Sequence, residues 1–81
     1  SLGLELARDA ISVNCVAPGL IDTPKSRALP APVRERLVAT VPMRRMGEVD
    51  DIAAAVVFFA SDAARYVTRQ VLHVAGGFEG F

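Results

Sequence analysis

Ile11-Ser12-Val13-Asn14-Cys15-Val16-Ala17-Pro18-Gly19-Leu20-Ile21-Asp22-Thr23-Pro24 decides how this chain folds. An apolar, β-branched run passes into a Pro-Gly break and then into a Thr-Pro pair suited to open a helix. The stretch therefore reads as a buried strand emptying into a loop and a helix. Ile11 to Ala17 alternates poorly, and Val13, Cys15, Val16 and Ala17 tolerate burial on both faces. Such a strand belongs in the middle of a parallel sheet, whose crossover helices cover both sides. Asn14 interrupts the run; a buried amide must find partners, and it is expected to tie the strand to a neighbouring loop. The loop beyond the carboxyl end of such a strand is where open α/β sheets bind ligands, because unpaired backbone donors and helix N-termini gather there.

Upstream, Leu2 and Leu6 lie one helical turn apart, with Glu5, Arg8 and Asp9 left for a wet face. No capping residue precedes them and residue 1 is serine, so the chain is expected to start within an element. Downstream, Lys25-Ser26-Arg27-Ala28-Leu29-Pro30-Ala31-Pro32 is polar and proline-rich and reads as a mobile surface excursion. Pro32 suits the first turn of a short helix in which Val33, Leu37 and Val41 share a face while Arg34, Glu35 and Arg36 face water. Pro42 closes it, because the residue before a proline avoids the helical region. Residues 25–46 thus read as a helical flap that closes over the crevice and excludes water, the plainer alternative being a surface connection.

Gly47-Glu48-Val49-Asp50-Asp51 opens the next helix, its carboxylates complementing the positive end of the helix dipole. Ile52 to Ala60 is apolar without interruption, and a helix greasy on all sides must be covered on all sides: by the sheet, and by another subunit or further chain. Ser61 and Asp62 start a short turn at Ala63-Ala64. Val71-Leu72-His73-Val74-Ala75 is a second strand, ended by Gly76-Gly77 and the tail Phe78-Glu79-Gly80-Phe81. Two strands flanking a crossover of this length pair in parallel in nearly all cases.

Composition narrows the function classes. The chain has 81 residues with 9 basic and 9 acidic side chains, so it carries no electrostatic footprint for nucleic acid or an anionic membrane. An apolar fraction of 52% is high for a length at which only about 60% of the unfolded surface is buried, which reads as a piece of something larger. A single cysteine excludes an internal disulfide and fits a reducing, cytoplasmic compartment. No uninterrupted run of about 18 apolar residues occurs, so no membrane span is expected.

Asn14 with Val13, Val16-Ala17-Pro18-Gly19, the Asp22-Thr23-Pro24 turn, Pro42-Met43-Arg44-Arg45-Met46-Gly47, Asp51-Ile52-Ala53, and Tyr66-Val67-Thr68 leading to Gly76-Gly77 together resemble the carboxyl-terminal third of short-chain dehydrogenases/reductases. The resemblance covers essentially the whole chain and rests on the order and spacing of tags that are weak singly. It implies an α/β, Rossmann-type doubly wound parallel sheet, of which residues 1–81 form the carboxyl-terminal segment with about two strands, and which includes the substrate flap at 25–46. It implies NAD or NADP as cofactor and hydride exchange between a secondary alcohol and a ketone or oxoacyl group. A homo-oligomer, dimer or tetramer, is expected from the helix greasy on all sides and from a last strand at the sheet edge. The family's glycine-rich loop, catalytic Ser and Tyr-x-x-x-Lys pair would all lie upstream. Tyr66 is followed four residues later by Gln70 rather than Lys, so Tyr66 is not the family's general acid; a packing role at a helix end is expected. No catalytic residue is assigned here, and the segment alone is not expected to be active.

By the same resemblance, Pro18 and Gly19 match the loop beside the nicotinamide, Ile21 the backbone group that meets the carboxamide, and Thr23 a hydroxyl near the carboxamide or pyrophosphate. Elementary chemistry agrees: glycine permits close approach, proline stiffens the turn, and a planar amide needs both a donor and an acceptor to fix which ring face reacts. Thr23 before Pro24 is also a good N-cap. Cys15 reads as a small buried hydrophobe, and His73 as structural or interfacial without metal-ligand spacing. Arg44 and Arg45 read as a solvated or sheet-bracing pair, or else as a contact for an anionic substrate tail or a phosphate. The chain departs from the family pattern at Arg69 and Ala10, where glycine is usual, at Ala75, where Asp is usual, and at Ser12, where Arg is usual. Two rival readings remain: a non-catalytic nucleotide-binding or scaffolding member of the same fold, and an interaction module whose sticky face is Ile52 to Ala60.

Overall fold

A computed structural model describes residues 2–78. In chain order it contains helix α1 (Leu2–Ala7), strand β1 (Cys15–Pro18), a short helix α2 (Pro24–Arg27), helix α3 (Ala31–Ala39), helix α4 (Val49–Phe59), a 3-10 turn at Asp62–Ala64 and strand β2 (Val71–Val74). β1 and β2 pair in parallel with Cys15 opposite Val71 and Pro18 opposite Val74, as the crossover predicts. The predicted tail, beyond Phe78, lies outside the described residues.

The first strand is shorter than its apolar run. Ile11 to Asn14 stay outside the ladder: the Ile11 N–H turns back to the Leu6 carbonyl (2.9 Å), and loop 67–70 takes up Val13, whose N–H donates to Thr68 Oγ1 (3.0 Å) and whose carbonyl accepts from the Arg69 N–H (2.8 Å). Asn14 completes the join, donating from Nδ2 to the Val67 carbonyl and accepting at Oδ1 from the Gln70 N–H, each at 3.1 Å. The side chain expected to tie strand to loop does so with both ends of its amide.

Helix α4 crosses both strands and seats Ala55 in the core. Its far side, with Val56, Val57 and Phe58, is exposed, so the all-round cover that its composition calls for is met on the sheet side only. Cys15 is exposed as well, contrary to the buried role expected for it, because α4 is the helix that packs on this two-stranded sheet and the chain covers no more of it. Tyr66 is 99% exposed and packs against nothing described, which overturns its expected packing role: the side chain follows the Asp62–Ala64 turn out into solvent.

The block between β1 and α4 holds two helices. Lys25 to Arg27, expected in a mobile excursion, belongs to α2, which Thr23 caps. In α3, Val33 and Leu37 are half-buried and Val41, just beyond, is 2% exposed, so the predicted shared face exists. Arg34, expected in water, is half-buried instead, since a long side chain can lay its stem along apolar surface. At the top of the sheet, Gly19 is obligatory: a Cβ there would come within 2.7 Å of the Ala75 Cβ, so glycine alone lets the loop after β1 pass the end of β2.

Candidate functional site

The loop after β1 is built by two clamps. At its start, the Gly19 N–H donates to the Val74 carbonyl (3.0 Å), extending the ladder one residue past Pro18. Because Pro18 lies opposite Val74 in that register, its nitrogen and carbonyl point away from β2, and its missing N–H costs the pairing nothing. Three residues on, the Gly47 N–H donates to the Leu20 carbonyl (2.8 Å) and the Asp22 N–H to the Gly47 carbonyl (2.7 Å), forming an isolated parallel bridge between Ile21 and Gly47. In such a bridge the central residue turns its own N–H and C=O to the opposite side. Ile21 thereby presents a donor and an acceptor side by side, and among the described residues neither has a partner.

Thr23 follows with extended backbone (φ −130°, ψ 165°) and caps α2. Its Oγ1 accepts from the Ser26 N–H (3.3 Å), while its own N–H donates to Ser26 Oγ (2.9 Å), a reciprocal capping box. An ion pair between Arg27 and Asp22 (3.0 Å) braces the same turn. The Thr23 hydroxyl proton has no acceptor among the described residues, so one oxygen caps the helix and still has a hydrogen to donate. Pro18, Gly19, Ile21 and Thr23 thus lie on one rigid loop. Gly47 was missed by sequence reasoning; its signal was its place just ahead of the α4 carboxylates, where a strand-like residue meets a helix start.

Beside this loop, a cleft of about 370 Å³ opens between the end of β2 and the amino end of α4, lined among others by Met43, Arg45, Asp51, His73 and Ala75. None of the four loop residues lines it. They abut it through Ala75, against which Gly19 packs, and Gly47, whose hydrogen faces Ile21 Cδ1. Asp51 Oδ2 accepts from the Glu48 N–H (2.7 Å) and from Arg45 (3.3 Å), and Arg45 also donates to the Met46 carbonyl (3.1 Å). The Glu48 amide first, and Arg45 second, hold the Asp51 carboxyl below the usual carboxylate range. Arg45 is therefore a brace for the start of α4, whereas Arg44 makes no ion pair among the described residues.

The family model described as enoyl-(acyl carrier protein) reductase matches residues 1–79. Among curated relatives, the 3-oxoacyl-(acyl carrier protein) reductase FabG of Salmonella typhimurium is 49% identical over 77 residues, 95% of this chain and 32% of the relative. A 3alpha-hydroxysteroid dehydrogenase of Mediterraneibacter gnavus is 51% identical over 76 residues, 94% of this chain and 30% of the relative. BbsD of Thauera aromatica, a subunit of a hydroxy(phenyl)methylsuccinyl-CoA dehydrogenase, is 48% identical over 77 residues, 95% of this chain and 31% of the relative. The chain spans about a third of the length of the curated relatives it matches.

Proposed function

This chain belongs to the short-chain dehydrogenase/reductase family, and on that premise we propose that it forms the carboxyl-terminal segment of one NAD(P)-binding, Rossmann-type doubly wound domain that acts as an oxidoreductase. The nicotinamide, when bound, gives or takes the hydride. What these residues do is orient it. The observation that carries the reading is Ile21: its outward N–H and C=O form a donor and acceptor pair of the kind that meets a primary carboxamide. With the amide held at both ends, one ring face is presented to the substrate, and orientation of this kind lowers a barrier without any acid or base. Thr23 adds a hydroxyl donor on the same loop, and the Pro18-Gly19 turn keeps that loop close to the sheet.

The proton donor and its partners, a Ser and a Tyr-x-x-x-Lys pair, are supplied upstream in this reading, and residues 25–46 close over a secondary alcohol, ketone or oxoacyl substrate. The single thiol fits a cytoplasmic setting; among the described residues no helix is long and apolar enough to cross a membrane. The exposed α4 face and β2, with Val57, Phe58 and Val71, are covered by a second copy of the chain. Light scattering of the full-length protein then reads at least a dimer, and Val57→Glu shifts it toward monomer.

Titration of the full-length protein with NADH and NADPH, followed by nicotinamide fluorescence, tests the central reading. At least one nucleotide is expected to bind, about tenfold more weakly in Thr23→Val and little changed in Thr23→Ser, since one charge-neutral hydrogen bond is worth roughly 1 kcal/mol and the cap adds to it. Binding of neither nucleotide would overturn the proposal. Binding without turnover of any alcohol or ketone would favour the non-catalytic reading.

A further inference from the structure

Beside α3 lies an open groove of about 440 Å³, lined by Ala31, Val38 and Ala39 together with Arg34, Arg44 and Glu35. Two independent observations mark its arginines. Arg34 Nε is buried and has no hydrogen-bond partner among the described residues, an arrangement that folded proteins rarely tolerate for a charged donor. Arg44 holds a left-handed backbone (φ 58°), as Ala10 and Arg69 also do, so its place on the groove rather than the strain sets it apart. Its neighbour Arg45 is engaged by Asp51, while Arg44 has no carboxylate partner among the described residues. Glu35 leaves the groove with one net positive charge and disfavours a second anion.

We propose that Arg34 and Arg44 are specificity-determining residues that receive an anionic group, carboxylate or phosphate, at the end of an apolar substrate tail laid along Ala31, Val38 and Ala39. The inference rests on the reading of residues 25–46 as a substrate flap and deepens it. Charge complementarity selects the occupant. Two guanidinium groups in a groove with an apolar lining match a headgroup with a tail better than a free inorganic anion, which would leave that lining wet, or a neutral alcohol, which would leave the donors unpaired.

The test is calorimetric binding to the full-length protein of decanoate, decyl phosphate, decanol and inorganic phosphate. Decanoate or decyl phosphate, or both, should bind at least tenfold more tightly than decanol and inorganic phosphate, and should weaken as salt rises. Arg34→Gln and Arg44→Gly should each weaken the anionic probe about tenfold, the loss of one charge-assisted contact, and leave decanol and NADH unchanged. Arg44→Gly carries a built-in control, because removing the side chain at a left-handed residue should raise the unfolding midpoint while affinity falls. Equal binding of decanoate and decanol, or variants that lose the anion and the alcohol together, would overturn the proposal. A protein that binds the anion but no nicotinamide nucleotide would instead sink the oxidoreductase reading, and with it the substrate role proposed here, and leave only an anion site at Arg34 and Arg44.

Discussion

Ala10 and Arg69 each hold φ at 60°, where a Cβ crowds the backbone and costs about 1 kcal/mol. Both are positions at which the family usually has glycine. Ala10→Gly is therefore expected to stabilise the full-length protein by about 1 kcal/mol, read as a higher urea midpoint at unchanged slope. Arg69→Gly should give less, because the Arg69 stem packs over Gly3, where a Cβ would come within 2.8 Å of its Cγ. Asp51 carries the acid sensitivity of the site. Its folded-state value lies below its unfolded one, so its contribution is complete above the ordinary carboxylate value and fades as pH falls through the depressed folded value. A carboxyl-carbon NMR titration should place the Asp51 midpoint below the ordinary aspartate value, and Arg45→Gln should raise it without restoring that value, since the Glu48 amide remains. A midpoint at or above the ordinary range would contradict the geometry. At this scale the loop residues were legible because Pro, Gly and Thr-Pro have few uses. The left-handed turn at Arg44 was not, since nothing in an arginine signals φ.

Among the elements, the joint between β1 and loop 67–70 hangs on one amide. Asn14→Leu strands the Val67 carbonyl and the Gln70 N–H together, and should cost about 1–3 kcal/mol, counting the half-buried Val67 carbonyl at roughly 1–2 kcal/mol and the exposed Gln70 N–H, which water can reach, at less. Asn14→Asp keeps the acceptor and loses the donor, so it should be less severe at neutral pH; equal effects would mean that the Gln70 bond contributes nothing. Hydrogen exchange at Gln70 reads the clamp directly. The parallel pairing, the capping of α2, the start of α4 and the turn at Asp62–Ala64 were all readable from spacing, cap residues and charge. The strand start was not: Ile11 to Asn14 have strand composition, but the Ile11 N–H bonds back to Leu6 and the Val13 backbone is bound by the distant Thr68 and Arg69, which no local pattern encodes. The burial of Arg34 escaped for a related reason, since its charge reads as wet while its stem is apolar.

For the whole molecule, burial is the controlling quantity. Among the described residues the core consists of Val41, Ala55 and Ala64, all small, while Leu2, Ile11, Val56, Val57 and Val71 are exposed. The radius of gyration is 15.6 Å, against about 12 Å for a compact chain of this length. So little buried surface cannot offset the ordering of the backbone. The 81 residues expressed alone should unfold in urea without a cooperative transition and bind a hydrophobic dye, whereas the same residues within the full-length protein should be protected from exchange. A sharp transition of the isolated chain would refute this. High apolar content foretold the shortfall; which faces stay bare depends on topology. Pro18 carries one last consequence. On the side of β1 away from β2, a docking neighbour can bond to Val16, but one residue pair further it meets an imino ring with no hydrogen to give. The two chains must part company there, and a forked seam at the rim of a sheet is a ready-made doorway for a flat molecule.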